Sequence, residues 1–494
     1  MKIAIIGAGW AGLAAAVQAT QAGHHTTVFE ASRVLGGRAR GLDASLPDGS
    51  TTRLDNGQHI LIGAYGETLR LLRQVGVNPA EAMLRLPLTL KFPDESGLRF
   101  PEWPSPFNAL GGILGARGWR VADKLALLRV AAQWRVAGFT CDAALSVAAL
   151  CKGLPPVVMH ELIEPLCVSA LNTPAERASA QVFLRVMRDS LFGARQNGMG
   201  SSDLLLPRID LSALFPQAAG DWLAQRGAQL RLGSRVQRLA PVMRAPNLNQ
   251  NRSAAAWQVD DEPFDAVILA TSSSESARAL ASIKYLASNT IANQIRHWIA
   301  TTSTMRFEAI TTVYAWGEQA ALARPMLALR SSSASHAPCA PSASSSASGP
   351  VTDDGDAASP APAQFVFDRG QLGGARGLLA FVVSASSDER GTLQAQVLAQ
   401  AKNQLGLNLQ GVQTIVEKRA TFACTPGLAR PAMLVAPGLL ACGDYIDGPY
   451  PATLEGAVRS GVAAAQAAVA LNAPPGNAVK MAGSSNPQMS AGTP

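Results

Sequence analysis

The amino-terminal part of the chain contains three successive apolar runs. A run of strand length, Lys2–Ile6, is followed by a glycine-rich turn and then by an alanine-rich stretch that continues to Ala22. A further apolar run, Thr26–Phe29, ends at the acidic residue Glu30. Short apolar runs bounded by turn residues are typical of buried strands, and longer runs of small apolar residues are typical of packed helices. The pattern therefore predicts a strand, a helix and a second strand.

The turn after the first strand, Gly7–Gly12, carries glycines at its first, third and sixth positions. Between a strand and a helix, the first glycine permits a tight turn, and the second lets the backbone approach a pyrophosphate at the helix N-terminus. The third lets the helix pack close to the strand. Glu30 is then placed to accept hydrogen bonds from a ribose diol. The spacing predicts a dinucleotide-binding site.

The segment after this acid, Ala31–Arg40, adds a glycine pair and the arginines Arg38 and Arg40. A nicotinamide-binding unit has no need for them, whereas the pyrophosphate and flavin of FAD extend past the first turn. The segment resembles that of the FAD-dependent amine oxidase and carotenoid desaturase superfamily. This resemblance implies an α/β fold, with a Rossmann-like FAD-binding domain of the GR2 type, as in amine oxidases, and a discontinuous α+β substrate domain.

A second cofactor motif lies near the C-terminus, where a buried strand ends in Gly443 and Asp444. We expect Asp444 to accept hydrogen bonds from ribityl hydroxyls. A proline-containing turn leads into a helix whose free N–H groups, near Thr453 and Leu454, would face the N1/C2=O edge of the flavin. That edge becomes negative on reduction, so the helix dipole favours reduced flavin. Both ends of the chain are therefore expected to meet at one FAD.

These segments, and the loops that the superfamily brings to the flavin, supply the expected cofactor-binding residues. They are Gly7, Gly9, Trp10, Ala11, Gly12, Glu30, Gly36, Gly37, Arg38, Arg40, Asn56, Gly57, Val236, Gly443, Asp444, Thr453 and Leu454.

With 494 residues, the chain is too long for one compact core, so two domains are expected. The FAD-binding domain is expected to be interrupted twice, and a hairpin is predicted between Gln229–Leu232 and Val236–Leu239. A small polar loop is expected at 245–255. The expected segments are FAD-binding residues 1–75, 206–275 and 415–471, substrate-domain residues 76–205 (mainly helical) and 276–414 with a low-complexity insertion at 331–363, and a flexible tail at 472–494.

The composition narrows the function classes. Apolar residues make up 48% of the chain and charged residues 16%, and the net charge is +7. The basic residues are scattered singly, so no nucleic-acid partner is expected. The six cysteines show no C-x-x-C spacing, which predicts free thiols of a reducing compartment and no metal site. Without a signal peptide or an apolar run of transmembrane length, we expect a cytoplasmic protein, with peripheral contact to the inner face of the membrane as one option.

The interior motifs point to one branch of the superfamily. Leu54–Tyr65, with its Asp-Asn-Gly-Gln-His block, resembles hydroxysqualene dehydroxylases, the squalene-associated FAD-dependent desaturases of bacterial hopanoid clusters. Glu164–Cys167, Leu204–Pro207, Phe367–Gly370 and Pro451–Gly461 carry the same resemblance. It implies reductive removal of a hydroxyl from a long-chain C30 isoprenoid, hydroxysqualene, by hydride transfer from reduced flavin. The electron donor is not identified, and an NADPH-linked donor is one candidate.

Three residues are candidates for the chemistry. The resemblance brings the loop with Gln58 and His59 to the flavin, and His59 is the first candidate for the acid that protonates or binds the leaving hydroxyl. Alternatively, it fixes the loop by hydrogen bonds. Asp447 follows the Gly-Asp motif, where it, like Tyr450, either faces the flavin or forms a turn.

Other interpretations stay open at this point. The apolar stretch Pro104–Trp119 is either a membrane-dipping entrance for the substrate or an internal helix packed on the core. The same fold would also suit an oxidative desaturase of a carotenoid-type polyene or an amine oxidase. A non-catalytic relative that carries prenyl lipids is a rival of another class, against which the intact glycine motifs argue.

Overall fold

The structure is a computed structural model that describes residues 1–191, 193, 198–242, 256–281, 283, 289–331 and 360–470. The polar loop at 245–255 and the tail at 472–494 lie outside the described residues. So does the low-complexity insertion, apart from Ser331 and residues 360–363.

The strands of the described chain are short except for two. They are β1 (Lys2–Ile6), β2 (His25–Phe29), β3 (Gly41–Ser45), β4 (Thr51–Asp55), β5 (Leu61–Ile62), β6 (Met83–Leu86), β7 (Thr89–Lys91), β8 (Gly97–Arg99), β9 (Leu204–Pro207), β10 (Gln229–Arg231), β11 (Leu239–Val242), β12 (Ala256–Val259), β13 (Glu262–Phe264), β14 (Ala266–Leu269), β15 (Phe307–Trp316), β16 (Met326–Ala328), β17 (Phe365–Asp368), β18 (Leu378–Ser384), β19 (Gln410–Phe422), β20 (Leu434–Ala436) and β21 (Leu439–Ala441).

The helices cluster in the first half of the chain. They are α1 (Trp10–Gln21), α2 (Gly66–Gln74), α3 (Pro79–Ala82), α4 (Phe107–Leu114), α5 (Val121–Val136), α6 (Val147–Leu150), α7 (Pro156–Val158), α8 (Glu164–Leu171), α9 (Ala180–Leu191), α10 (Leu211–Leu214), α11 (Pro216–Ala224), α12 (Ser273–Ala281), α13 (Asn289–Ser303), α14 (Arg390–Leu405) and α15 (Leu454–Ala470), with a π-helical turn at Met159–Ile163 and a 3-10 turn at Gly370–Leu372.

A six-stranded sheet in the order β10-β2-β1-β14-β21-β20 organises the first domain. Its strands are parallel except for β20. Ile3 and Ile5 of β1 pack in the core beneath α1, α11 and α15, whereas Ala4 and Ile6 pack on the side of β12 and β13. A parallel sheet buried on both faces accounts for the unbroken apolar run that the sequence displays.

The two ends of the chain meet at helices α1 and α15. A Cβ atom at Gly461 of α15 would lie 2.1 Å from the Ala11 carbonyl oxygen of α1, so only glycine permits this approach. The C-terminal helix is therefore packed directly on the helix that follows the first glycine turn.

The predicted hairpin between Gln229–Leu232 and Val236–Leu239 is wrong. Strand β10 instead pairs in parallel with β2, where the Arg231 carbonyl accepts the Glu30 N–H at 3.0 Å. Strand β11 begins only at Leu239 and pairs with β12. Gln229–Arg231 thus form the edge strand of the parallel sheet, beside β2, and do not pair with the segment that follows them in sequence.

A five-stranded antiparallel sheet, β16-β17-β18-β15-β19, organises the second domain. Its long strand β19 pairs along most of its length with β15. The boundary expected at residue 415 falls inside β19, so residues 410–422 lie in this second sheet. One core cluster joins the sheet to the helices of the 76–205 segment through Phe367, Phe183 and Met187.

No helix in the described ranges is both long and apolar enough to cross a membrane.

Candidate active site

A cavity of about 710 Å³ lies between the two sheets. At one end it is lined by the turn after β1, the loop after β2, the loop after β4 and the residues just before and at the start of α15. At the other end it is lined by α8, α9 and the strands β15, β17 and β18. Every expected cofactor-binding residue lines this cavity except Gly12.

Gly12 acts through packing rather than contact with the cavity. A Cβ atom at this position would lie 1.9 Å from the carbonyl oxygen of Gly7, so any side chain would displace the helix from the turn. The glycine motif therefore keeps the N-terminus of α1 against the cavity, where its free N–H groups favour a phosphate.

The carboxylate of Glu30 is held by backbone groups. One oxygen accepts the N–H of Ala8 at 2.7 Å and the other accepts the N–H of Ser32 at 2.8 Å. A carboxylate has about four acceptor positions, so two are left for the hydroxyls of a ribose. This geometry fits the adenosine part of FAD.

The arginine loop closes over the glycine turn. The Trp10 indole N–H donates to the Ala39 carbonyl at 3.0 Å, and the Gly36 N–H donates to the Ala8 carbonyl at 2.9 Å. Arg40 donates to the Gly37 carbonyl at 3.1 Å. The loop is thus fixed in a shape that lines the cavity.

Arg38 connects the two cofactor motifs. Its guanidinium pairs with the Asp444 carboxylate and donates to the Ala420 carbonyl at 2.8 Å. The charge of Asp444 raises the pKa of Arg38, which is already fully charged at neutral pH. The N-terminal loop, the C-terminal motif and the end of β19 are joined at this one side chain, on the wall where the ribityl and phosphate parts of FAD would lie.

Asn56 in the Asp-Asn-Gly-Gln-His block supports the arginine loop. Its side-chain amide donates to the Arg38 carbonyl at 2.6 Å and accepts the Arg40 N–H at 2.9 Å. Its neighbour Asp55 is buried, and one carboxylate oxygen accepts the Leu211 N–H at 2.7 Å. Burial raises the pKa of Asp55 to about 6. The first half of the block therefore holds the loops together.

His59 lines the cavity with a defined tautomer. Its Nδ1 atom lies 2.6 Å from the Gly57 carbonyl oxygen, which can only accept, so Nδ1 carries a proton. Burial, and to a smaller extent the charge of Arg38, lower the pKa of His59 below its ordinary value of 6.5. At neutral pH the imidazole is therefore mostly neutral, and its Nε2 atom is an acceptor. It becomes an acid only after taking up a second proton.

Gln58 and Arg369 form a buried polar pair that the sequence did not predict. Arg369 donates to the Gln58 side-chain oxygen at 3.2 Å. The Gln58 Nε2 and the Arg369 Nε are buried and have no hydrogen-bond partner among the described residues. Because Gln58 lines the cavity, its amide is a donor available to a ligand there. The only sequence signal for Arg369 was its place in the Phe367–Gly370 motif.

Asp447 lies away from the cavity, contrary to the expectation that it takes part in catalysis. Its side chain is 72% exposed and its carboxylate pairs with Arg430 at 3.1 Å. The turn after Asp444 carries it to the surface, so we assign it a turn-stabilising role.

The further polar residues that line the cavity include Tyr65, Tyr450 and Asp189. Burial raises the pKa of both tyrosines. The pKa of Tyr450 is raised further by Asp189, which faces it from α9. Although burial alone would raise the pKa of Asp189, hydrogen bonds from two neighbouring arginines lower it overall, so Asp189 is ionised. These contacts join segments far apart in sequence, so no local pattern could predict them.

The described residues contain no group of three or more His, Cys, Asp or Glu side chains arranged to hold a metal ion.

A family model described as flavin-containing amine oxidoreductase matches residues 10–469. The chain belongs to this family. It is an FAD-dependent oxidoreductase, and the expected α/β fold and the expected cofactor are confirmed.

The resemblance to hydroxysqualene dehydroxylases is also confirmed. The chain is 29% identical to a hydroxysqualene dehydroxylase of Sinorhizobium fredii over 57% of this chain and 64% of that protein. It is 26% identical to the hydroxysqualene dehydroxylase of Rhodopseudomonas palustris over 94% of this chain and 98% of that protein. Thus the match spans slightly less than two thirds of one of these relatives and nearly all of the other.

Two further matches are weaker, because one covers only a quarter of the chain and the other has low sequence identity. A zeta-carotene desaturase of Synechocystis is 33% identical over 26% of each chain. An oxidoreductase of Methanosarcina mazei has a solved structure that superposes with a TM-score of 0.62 at 15% identity, covering 94% of this chain and 100% of that one. The latter comparison supports the fold alone.

Proposed function

We propose that this enzyme reductively removes the hydroxyl group of hydroxysqualene and releases squalene. The observation that carries the proposal is the cavity, which continues from the cofactor-binding residues into an apolar space formed by the second domain. The apolar lining residues of that part are Ile60, Ile62, Leu88, Leu166, Val168, Ala170, Val186, Met187, Leu191, Leu204, Ile310, Phe365, Phe367 and Val382.

This lining suits a long hydrocarbon better than a polar substrate. Among the described lining residues between 76 and 205, Asp189 carries the one charge, and two arginines already pair with it. Burying an unbranched or methyl-branched hydrocarbon against such a surface is favourable at roughly 25 cal/mol per Å². The relatives named hydroxysqualene dehydroxylase support the choice of a C30 isoprenoid.

Bound FAD supplies hydride when it is reduced. The chain must hold the allylic carbon near the flavin, exclude bulk water and protonate the departing hydroxyl, which leaves as water. The overall change adds one hydride to carbon and one proton to oxygen. We assign the positioning of the flavin edge to the loop of Asn56 and Gly57 and to the first turn of α15.

His59 and Gln58 are our candidates for contact with the leaving hydroxyl. The unpartnered Gln58 amide can donate a hydrogen bond to the oxygen, while His59 can deliver a proton once its Nε2 is protonated. The neutral phenol of Tyr450, which also lines the cavity, is a second potential donor. The pH dependence of the reaction distinguishes His59 from Tyr450 as the proton donor, since of these two residues only His59 would titrate below pH 6.5.

Oxidative desaturation of a carotenoid-type polyene is the second candidate function. The zeta-carotene desaturase relative supports it, and an apolar cavity would suit a polyene as well as hydroxysqualene. The two functions need flavin in opposite redox states, so they can be distinguished directly.

The test is anaerobic incubation of the photoreduced holoenzyme with hydroxysqualene. Squalene formation with reoxidation of the flavin supports the proposal. Reduction of oxidised flavin by a polyene or an amine, without dehydroxylation, supports an oxidative enzyme instead.

We also propose that the enzyme works in the cytoplasm at the inner face of the membrane, because its hydrocarbon substrate partitions into the bilayer. An NADPH-linked source remains our hypothesis for the electrons. Anaerobic bleaching of the flavin by NADPH, alone or with a reductase added, tests that hypothesis.

A further inference from the structure

Helix α4 exposes a row of large apolar side chains. Phe107, Leu110 and Leu114 follow the i, i+3, i+7 spacing of one helix face and are exposed, whereas Ala109 and Ile113 on the other face are buried. One face of α4 therefore packs on the core, as the second interpretation of this stretch expects, and the other face is turned outward.

The exposed row continues onto neighbouring segments. Trp103 lies against α4, since a Cβ atom at Gly111 would be 2.7 Å from its ring. Lys124 of α5 donates to the Leu114 carbonyl at 2.8 Å, which joins the end of α4 to the start of α5, where Val121 and Leu125 are exposed. We call these side chains the α4–α5 face: Trp103, Phe107, Leu110, Leu114, Val121 and Leu125, each between 41% and 72% exposed. Contiguous apolar surface of this kind marks an interaction site.

The charges around the α4–α5 face are mainly positive. Residues 99–135 contain six basic and two acidic side chains. Arg117 and Arg120 are exposed between the two helices. One of the two acids, Asp123, is engaged in capping α5, where it accepts the Arg120 N–H at 3.0 Å. Apolar side chains flanked by arginine and lysine are the composition of interfacial helices, which bind anionic lipid.

A small pocket lies beside this face. Its walls include Trp103, Ser105 and Asn108, and two further wall residues, Leu88 and Ser202, also line the large cavity. The pocket and the apolar part of the cavity therefore share part of one wall.

We propose that the α4–α5 face docks on the surface of a bilayer that contains anionic lipid. The docking is carried by the exposed apolar row and its basic rim. A protein partner would need a complementary acidic surface, and binding to protein-free vesicles separates the two occupants.

The test is flotation of the purified holoenzyme with vesicles of phosphatidylcholine, with and without phosphatidylglycerol. We expect flotation with the anionic vesicles, and at least tenfold weaker binding for the double variant Phe107→Glu/Leu114→Glu. The matched control is Leu232→Glu/Leu434→Glu, which places the same charges at exposed leucines elsewhere and should float like the wild type. The flavin spectrum and circular dichroism of each variant verify that it is folded.

A second variant, Arg117→Gln/Arg120→Gln, leaves the apolar row intact and should weaken binding to anionic vesicles several-fold, with less effect of salt than in the wild type. The docking proposal is overturned if the wild type does not float, or if the Phe107/Leu114 variant floats as well as the control. Flotation needs no turnover, so its outcome is independent of whether hydroxysqualene is the substrate.

Discussion

Glu455 provides a quantitative test of how the C-terminal motif is held in place. Its carboxylate is fully buried in the first turn of α15. It accepts the N–H groups of Glu67 and Thr68 at 3.0 and 2.9 Å and the Thr68 hydroxyl at 2.7 Å. These N–H groups belong to the first turn of α2, where the helix itself supplies no hydrogen-bond acceptor for them. One carboxylate therefore caps a helix more than 380 positions away in the sequence.

Glu455→Ala would leave both N–H groups without a partner. An unsatisfied buried donor costs roughly 1–3 kcal/mol, so the free energy of unfolding should fall by about 4 kcal/mol. Glu455→Gln keeps one acceptor oxygen and should lose about half as much. Because α15 begins at the cavity-lining Leu454, FAD should also be retained less tightly.

The assay is guanidinium unfolding of the holoenzyme, followed by circular dichroism and by the fluorescence of released flavin. Glu81→Ala is the control, since this exposed glutamate makes only a surface hydrogen bond with Asn78 and should change stability by less than about 0.5 kcal/mol. A loss below about 1 kcal/mol in Glu455→Ala would refute the capping argument.

Three further predictions concern the site. His59→Ala should lower the rate of single-turnover dehydroxylation about a hundredfold or more without changing FAD content, and an unchanged rate would remove His59 from the chemistry. Because burial lowers the pKa of His59, the wild-type rate should rise as the pH falls through a value below 6.5. Burial raises the pKa of Asp55 to about 6 from 3.8, so the folded state holds this proton more tightly than the unfolded chain and stability falls as the pH rises between these values. Ionisation of Asp55 should lower the free energy of unfolding by roughly 2 kcal/mol between pH 4 and pH 7, and this loss should be absent in Asp55→Asn in parallel denaturation series. Asp447→Asn should keep turnover within about twofold of the wild type, because Asp447 lies on the surface, and a larger loss would restore it as a catalytic candidate.

The cofactor end of the cavity was predictable because its signals are local. Gly7–Gly12 and Glu30 belong to one strand–turn–helix–strand unit, and their spacing reflects the geometry of a phosphate on a helix N-terminus. The Gly443–Asp444 motif was recognisable for the same reason. The two motifs together indicated that these distant segments meet at one FAD, and the Arg38–Asp444 pair is one of the contacts that join them.

The rest of the site depends on pairings between distant segments. Arg369, the residue after β17, reaches Gln58, and Asp189 faces Tyr450 from α9. Nothing in the local sequence of these residues marks them as partners. For Asp447 the local sequence suggested a wrong position. Its closeness in sequence to Asp444 predicted closeness to the flavin, but the turn between the two residues places Asp447 at the surface.

The most direct test of the proposed reaction is an anaerobic single turnover with a stoichiometric amount of hydroxysqualene, followed by flavin absorbance and product extraction. The absorbance of oxidised flavin should return as squalene forms, with one squalene for each FAD reoxidised. Reduced flavin that stays bleached, with hydroxysqualene recovered unchanged, would contradict the proposed reaction.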